Sequence, residues 1–122
     1  MAKTENRARN LELYEKLVAT NPEVERKGDT MPYTSVNGHM FSLFTKEDQL
    51  TLRFPPDELE RFLKKYKTRL SIQYGMVMKE YAVVPDALLA RTGELQKYFD
   101  ISYKYVSSLK PKPTTKKKAA QG

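Results

Sequence analysis

The only histidine, His39, is the one side chain in this sequence suited to neutral-pH proton transfer or to imidazole metal ligation. Cysteine is absent, which excludes disulfides, thiolate metal sites and cysteine nucleophiles. A zinc site built on two or three histidines needs more imidazoles than the chain has. Asp29, Glu47 and Asp48 lie in predicted turns near His39, but they offer hard oxygen ligands without a spacing motif. We therefore predict an ordinary strand residue at His39, and neither a metal nor a cofactor.

Paired carboxylates are the other route to catalysis, and they occur as Glu47-Asp48, Asp57-Glu58 and Glu58 with Glu60. A general acid needs a buried carboxyl group with a raised pKa. None of these acids lies within an apolar run, and acids at a helix start usually complement the helix dipole. The five glycines are scattered and form no phosphate-binding loop. The sequence therefore predicts a protein that is not an enzyme.

Tyrosine is abundant, with eight residues. Four of them fall on the apolar stripes of predicted helices, where we expect the rim of a core with hydroxyls in water: Tyr14, Tyr66, Tyr98 and Tyr103. Other tyrosines lie in extended segments beside methionines and lysines. Methionine and tyrosine on one surface make an adaptable patch that suits binding, although strands also bury one face in a core. The candidate interaction patch, called here the Met–Tyr patch, comprises Lys27, Met31, Tyr33, Tyr74, Met76, Met78, Lys79 and Tyr81.

The positive charge is concentrated at the C-terminus. The chain carries a net charge of +7, from 22 basic and 15 acidic residues. Five of the basic residues and none of the acidic ones lie in residues 110–122, so residues 1–109 carry only +2. We predict a folded domain over 1–109 and a disordered Lys/Pro-rich tail over 110–122. If the chain contacts nucleic acid, the candidate residues are those of the tail, namely Lys110, Lys112, Lys116, Lys117 and Lys118.

The length of 122 residues suits one domain. Apolar runs are only a few residues long, so no membrane span is expected. The N-terminus is polar and leads into no apolar segment typical of a secretory signal. We therefore expect a soluble, cytoplasmic protein that does not associate with membranes.

The elements that must position these residues begin with a helix over about 5–20, which ends at Asn21-Pro22. A short strand is predicted at 24–27, followed by a hairpin whose strands cover 31–36 and 39–45. Its turn, Asn37-Gly38, is the strongest short hairpin signal in the chain. A third strand over 49–54 alternates apolar and polar residues.

The second half of the chain begins with a helix at Pro55-Pro56-Asp57-Glu58, where proline and acids suit a first turn. Residues 70–84 predict one or two strands. A short helix over 87–91 and a last helix over 94–109 follow, with Thr92 as a break or a cap. The predicted fold is α+β, with two layers, an antiparallel sheet and helices on one side, in the order α-β-β-β-α-β(-β)-α-α.

Several motifs resemble the TfoX N-terminal domain family (TfoX/Sxy-like) when they are taken in this order. They are the hairpin at 36–41, the strand at 49–54, the helix opening at 56–59, the segment 78–85 and the helix that ends at Ser107-Ser108-Leu109. The similarity covers about residues 8–109. It implies a two-layer, secretion-chaperone-like fold and a regulatory, competence-related role without catalytic residues. The chain differs from the family at Gly28-Asp29-Thr30-Met31, and it continues into the lysine tail rather than a second domain, as a standalone version.

Three functions follow from these observations. The first is a non-enzymatic interaction module that binds an unknown protein partner. The second is weak, sequence-independent association with nucleic acid through the lysine tail. The third, and weakest, is a small-ligand binder or enzyme. A homodimer is left open by the sequence.

Overall fold

The computed structural model describes residues 3–28 and 30–110, with side chains from Arg7 onward. The element order is that predicted, with both strands present in the 70–84 region. The elements are α1 (Lys3–Val18), β1 (Tyr33–Val36), β2 (His39–Phe44), β3 (Leu50–Arg53), α2 (Pro56–Tyr66), β4 (Leu70–Gln73), β5 (Met76–Val84), α3 (Asp86–Leu89) and α4 (Thr92–Ser107). The strands form one antiparallel sheet in the order β1-β2-β3-β5-β4.

The β1–β2 hairpin turns at Asn37-Gly38, as predicted. Both turn residues have positive φ, 55° at Asn37 and 80° at Gly38, the backbone that a two-residue type I′ turn requires. Phe41 is an extra residue on β2, because Thr34 pairs with Ser42 while Ser35 pairs with Met40. This bulge places the Phe41 ring against α4, where it contacts Phe99 and Tyr103.

One face of the sheet, called the covered face, packs against all four helices. The alternation in β3 puts Leu50, Leu52 and Phe54 there, and each is fully buried. The helices contribute the remaining large side chains of the same core, including Tyr14, Leu17, Phe62, Leu88, Leu89, Leu95 and Phe99. The α+β fold with helices on one side is therefore confirmed.

The structure corrects three local predictions. Residues 24–27 form no strand, and only Lys27 makes a bridge, to Tyr33. Thr92 does not cap α4, since Arg91 occupies the cap position and the Thr92 hydroxyl is buried without a partner among the described residues. The hydroxyl of Tyr14 does not reach water as predicted, because the residue is fully buried and its Oη lies 2.6 Å from the Ser42 Oγ.

The Tyr14 hydroxyl belongs to a short buried chain of hydroxyls. Ser42 Oγ is also 2.5 Å from the Thr34 Oγ1, and all three residues are buried. Burial raises the pKa of Tyr14 to about 12, although the hydrogen bonds to Ser42 and Thr34 act in the opposite direction. These hydrogen-bonded hydroxyls connect α1 to the first two strands within the core.

Within the described ranges, no helix has both the length and the apolar character that crossing a membrane demands. The sequence-based expectation that the protein does not associate with membranes was based on the lack of long apolar runs that could form such a helix.

Candidate functional site

The β4–β5 hairpin exposes apolar side chains that the rest of the described chain keeps covered. Its turn is formed by Tyr74 and Gly75, with φ of 54° and 76°. Tyr74 is 80% exposed and Met76 is 71% exposed. The other exposed large apolar side chains in the described ranges are Ile72 and Val77, so all four lie between residues 72 and 77.

A bulge in β5 marks where this hairpin leaves the plane of the sheet. Leu70 pairs with Ala82, but its neighbour Ser71 pairs with Met78, so residues 79–81 have no counterpart on β4. Glu80, inside the bulge, has a φ of 75°, a conformation that side chains other than glycine rarely adopt.

Glu80 is held in this conformation by three contacts. Its carboxylate accepts a 2.8 Å hydrogen bond from Arg53 Nε and a 2.9 Å bond from the Tyr105 hydroxyl. Its carbonyl oxygen accepts the backbone N–H of Phe54 at 2.8 Å. The Arg53 guanidinium also lies over the rings of Tyr81 and Tyr105. The bend is therefore fixed by a partly buried ion pair rather than by glycine.

Beyond the bend, the hairpin crosses the open face of the sheet, opposite the helices. It shares a cavity of about 550 Å³ with residues of β1 and β2, although β3 separates β2 from β5 in the sheet. Thr51 of β3 lies in register between Leu43 and Val83 on this face, and it is fully buried. We call this cavity the hairpin groove. Its lining residues are Met31, Tyr33, Met40, Leu43, Gln73, Tyr74, Met76, Val77 and Met78.

The lining of the hairpin groove is apolar and adaptable. Four of the five methionines in the chain are in it, together with two tyrosines and no charged residue. Methionine side chains are flexible and polarisable, and they recur at surfaces that accept varied apolar partners. The tyrosine hydroxyls and the Gln73 amide supply the polar groups that can orient an occupant.

The loop before β1 brings Met31 to the groove. Gly28 has a φ of 83°, and a Cβ at that position would lie 2.8 Å from the carbonyl oxygen of Met31. Only glycine fits this close approach. Arg7 of α1 donates a 2.7 Å hydrogen bond to the carbonyl of Thr30, so the helix layer also fixes the loop. Met31, at the place where the chain differs from the resembled family, therefore lines one wall of the groove.

The structure brings together five residues of the predicted Met–Tyr patch, namely Met31, Tyr33, Tyr74, Met76 and Met78. The other three do not line the groove. Lys27 and Lys79 are exposed beside it, each next to a lining residue by backbone pairing or sequence. Tyr81 is half-buried and donates a 2.7 Å hydrogen bond across β3 to the carbonyl of Met40.

Four lining residues are not among those predicted from the sequence: Met40, Leu43, Gln73 and Val77. Met40 and Leu43 lie on the returning strand of the first hairpin, distant in sequence from β4 and β5. The signal that was available is Tyr74-Gly75, a second two-residue turn between apolar runs. It indicates a hairpin with an apolar tip, but not the bend that brings the tip over β2.

Two of the other candidates for chemistry, His39 and Asp48, have structural partners, and a third, Asp29, lies outside the described residues. His39 Nε2 donates to the carbonyl oxygen of Lys110 at 2.8 Å, and Asp48 pairs with Arg7 at 2.8 Å. Among the residues that the structure covers, no group of three or more histidine, aspartate or glutamate side chains is placed to hold a metal ion. Lys110 is exposed, whereas Lys112, Lys116, Lys117 and Lys118 lie outside the described residues.

No protein-family model, curated protein or solved structure matches this chain. The similarity to the TfoX N-terminal domain family therefore stays a prediction.

Proposed function

We propose that this protein is a non-catalytic interaction module that buries apolar side chains of a partner protein in the hairpin groove. The observation that carries the proposal is that the four large apolar side chains exposed in the described part of the chain all lie on the hairpin that forms one wall of that groove. Contiguous exposed apolar surface costs solubility and typically marks an interaction site. Tyrosine and methionine are enriched at the centres of such interfaces.

The residue at the turn supports a role beyond folding. Tyr74 has a φ of 54° and is 80% exposed. A bulky residue is unfavourable in the left-handed region, where asparagine, aspartate and glycine are preferred. Because so exposed a ring returns little packing energy, local folding does not explain a tyrosine here. Departures of this kind are expected at functional positions.

The similarity to the TfoX N-terminal domain family supports a regulatory role for this module in the cytoplasm. Sequence-independent nucleic-acid association through the lysine tail is the alternative, because five lysines without an acidic neighbour could contact phosphates. The +2 charge of residues 1–109 attracts phosphates weakly.

The volume of the groove favours a second candidate, a small apolar ligand. About 550 Å³ falls within the roughly 300–1,000 Å³ range of small-molecule sites. The groove is formed by an exposed hairpin rather than enclosed by the core, and this arrangement favours a protein segment as the first choice.

Site-specific photocrosslinking tests the proposal in the full chain. A benzophenone side chain replaces Met76, in the groove, or Lys97, which is exposed on α4. We expect a covalent adduct with a partner protein from position 76, unchanged by nuclease, and none from position 97.

Three results would contradict the proposal. Equal adducts from both positions would indicate non-specific collision. An adduct lost on nuclease treatment would favour the nucleic-acid alternative. An adduct of small-molecule mass alone would favour the second candidate.

A further inference from the structure

Thioether sulfur is concentrated at the hairpin groove. The chain has five methionines and no cysteine, so methionine is its only sulfur-containing residue. The four methionines in the described part of the chain all line the groove, namely Met31, Met40, Met76 and Met78. Oxidants such as hydrogen peroxide convert thioethers to sulfoxides. Methionine oxidation within the described residues therefore falls on the groove.

Met76 is the methionine of the groove that an oxidant reaches most easily. It is 71% exposed, whereas Met31, Met40 and Met78 are only partly exposed. It directly follows the Tyr74-Gly75 turn, in the part of the hairpin beyond the bend at Glu80. Its side chain is thus open to water in the free protein, although it lines the groove.

A sulfoxide at this position would affect binding more than folding. Oxidation turns an apolar thioether into a polar group that accepts hydrogen bonds. In the free protein, water solvates an acceptor on so exposed a side chain. A partner that covers the groove removes this water, and the lining has no charged residue that could replace it. Gln73, opposite Met76 in the strand register, donates its amide to Ser71 Oγ at 3.3 Å. The cost of a buried, unsatisfied acceptor therefore falls on the complex.

Flexibility alone does not account for methionine at this position. Flexible side chains help a groove to fit varied occupants, and Met31, Met40 and Met78 provide them as well. Leucine has a similar volume and no oxidisable atom, yet the lining has only two aliphatic residues, Leu43 and Val77. Met76 combines a place in the lining with the exposure that makes its sulfur reactive.

We propose that Met76 is a redox modification site, and that its oxidation to the sulfoxide prevents the partner protein from binding in the hairpin groove. This inference rests on the proposed function and specifies how that site is regulated. The sulfur lone pair attacks one oxygen of hydrogen peroxide, so that an S–O bond forms as the O–O bond breaks. The hydroxide that leaves takes the proton of the new S–OH group and becomes water. Sulfur loses two electrons, which reduce the peroxide. Methionine sulfoxide reductases reverse the change.

Site-resolved mass spectrometry tests the chemical part of this inference. The full chain is treated with hydrogen peroxide under native conditions, and its peptides are mapped over time. We expect Met76 to be oxidised first, at a rate close to that of a short methionine peptide, while Met31, Met40 and Met78 follow more slowly. In denaturant the four rates should converge, because the difference comes from exposure in the fold. The midpoint of denaturant unfolding should be the same with and without the Met76 sulfoxide.

The binding part is tested with a peptide selected for the groove. Random short peptides are displayed and selected on the immobilised full chain. They are counter-selected on Met76→Lys, which places a charge in the groove at an exposed position. We expect the best peptide to bind about tenfold more weakly once Met76 is oxidised, because an acceptor covered without a donor opposes binding. Treatment with a methionine sulfoxide reductase should restore the affinity.

Two variants serve as matched controls. Met76→Leu keeps an apolar side chain of similar volume, so it should bind the peptide and lose no affinity after the same dose of peroxide. The double variant Ile72→Met, Met76→Leu moves the methionine to a position that is 52% exposed on the same hairpin but outside the lining. It should be oxidised at position 72 without a loss of affinity.

The outcomes separate this inference from the proposed function. An affinity unchanged by the Met76 sulfoxide, or an equal loss in the double variant, would overturn the modification site and leave the groove as a binding site. Faster oxidation of the partly exposed methionines would do the same. A lowered unfolding midpoint in the oxidised chain would also overturn it, because oxidation would then act on the fold. No enrichment of peptides relative to Met76→Lys would overturn the proposed function as well.

Discussion

Two hairpins in this domain have similar turn geometry but different surroundings. The β1–β2 turn has φ of 55° and 80°, and the β4–β5 turn has φ of 54° and 76°. The first turn is Asn37-Gly38, and its Asn37 amide donates a 3.0 Å hydrogen bond to the carbonyl of Ser107 at the end of α4. The second is Tyr74-Gly75, and it carries exposed apolar residues on both sides.

The difference indicates which residues serve folding. In the first hairpin, the turn residues, the bulge at Phe41 and the buried hydroxyls all contribute to a core shared with the helices. In the second hairpin, the bend at Glu80 is built with an ion pair, while the tip beyond it contributes little to the core. The cost of an unfavourable turn residue and an exposed apolar tip is instead consistent with binding.

The largest expected effect comes from truncating the first hairpin. Phe41→Ala should lower the free energy of unfolding by about 3–5 kcal/mol, because it opens a cavity against Phe99 and Tyr103. Met76→Ala, in the second hairpin, should change it by no more than about 0.5 kcal/mol, as for exposed positions. Denaturant titration of both variants measures the contrast. Similar losses from the two would mean that the second hairpin is part of the folding core.

The buried hydroxyl of Tyr14 gives a pH-dependent contrast. Its pKa is raised from 10.0 to about 12 by burial, so above pH 10 the unfolded chain loses this proton while the folded chain keeps it. The contribution to stability is complete below pH 10 and is lost as pH rises towards 12, by up to about 2–3 kcal/mol.

The control for this effect is Tyr14→Phe, which has no such proton. The difference in unfolding free energy between wild type and this variant should shrink or reverse between pH 10 and 12. Tyr74→Phe, on the exposed turn, should instead parallel wild type across the same interval. A constant difference between wild type and Tyr14→Phe would contradict a buried, neutral Tyr14 hydroxyl.

A smaller effect is expected at the first turn. Asn37→Ala should cost about 1–2 kcal/mol, because alanine is strained at positive φ. Asn37→Gly also loses the hydrogen bond to Ser107 but adopts this backbone freely, so it should cost clearly less. Chemical denaturation of the pair separates backbone strain from the hydrogen bond. Equal losses would show that the contact with α4, rather than the turn conformation, stabilises the hairpin.

The smallest expected effect has the opposite sign. Tyr74→Asn should raise the free energy of unfolding by about 0.5–1 kcal/mol, because asparagine suits the first position of this turn. The same variant should weaken binding of any groove partner. The midpoint of thermal unfolding, and the yield of the partner adduct from a benzophenone side chain at position 76 of the variant, test both parts. A destabilised Tyr74→Asn would mean that the tyrosine ring packs in the folded state, which would contradict a role for it in binding alone.

The sequence by itself determined the elements and the class of the fold. Alternation in 49–54, the Asn37-Gly38 turn and the proline-initiated helix at Pro56 act through neighbouring residues, so local physics predicts them. Residues 24–27 and Thr92 show the limit of such signals. Their extended or capping character is genuine but weak, and the final structure uses it for one bridge and for no cap.

Only the tertiary structure decided where the candidate site lies. Five residues of the Met–Tyr patch meet because β5 bends at Glu80, and that bend depends on Arg53 and on Tyr105 of α4, 27 and 25 residues away along the chain. No periodicity encodes a contact of this range. The same holds for Tyr14, whose position on an apolar stripe predicts burial of the ring. That its hydroxyl is buried too follows from Ser42, which the sheet register places beneath it.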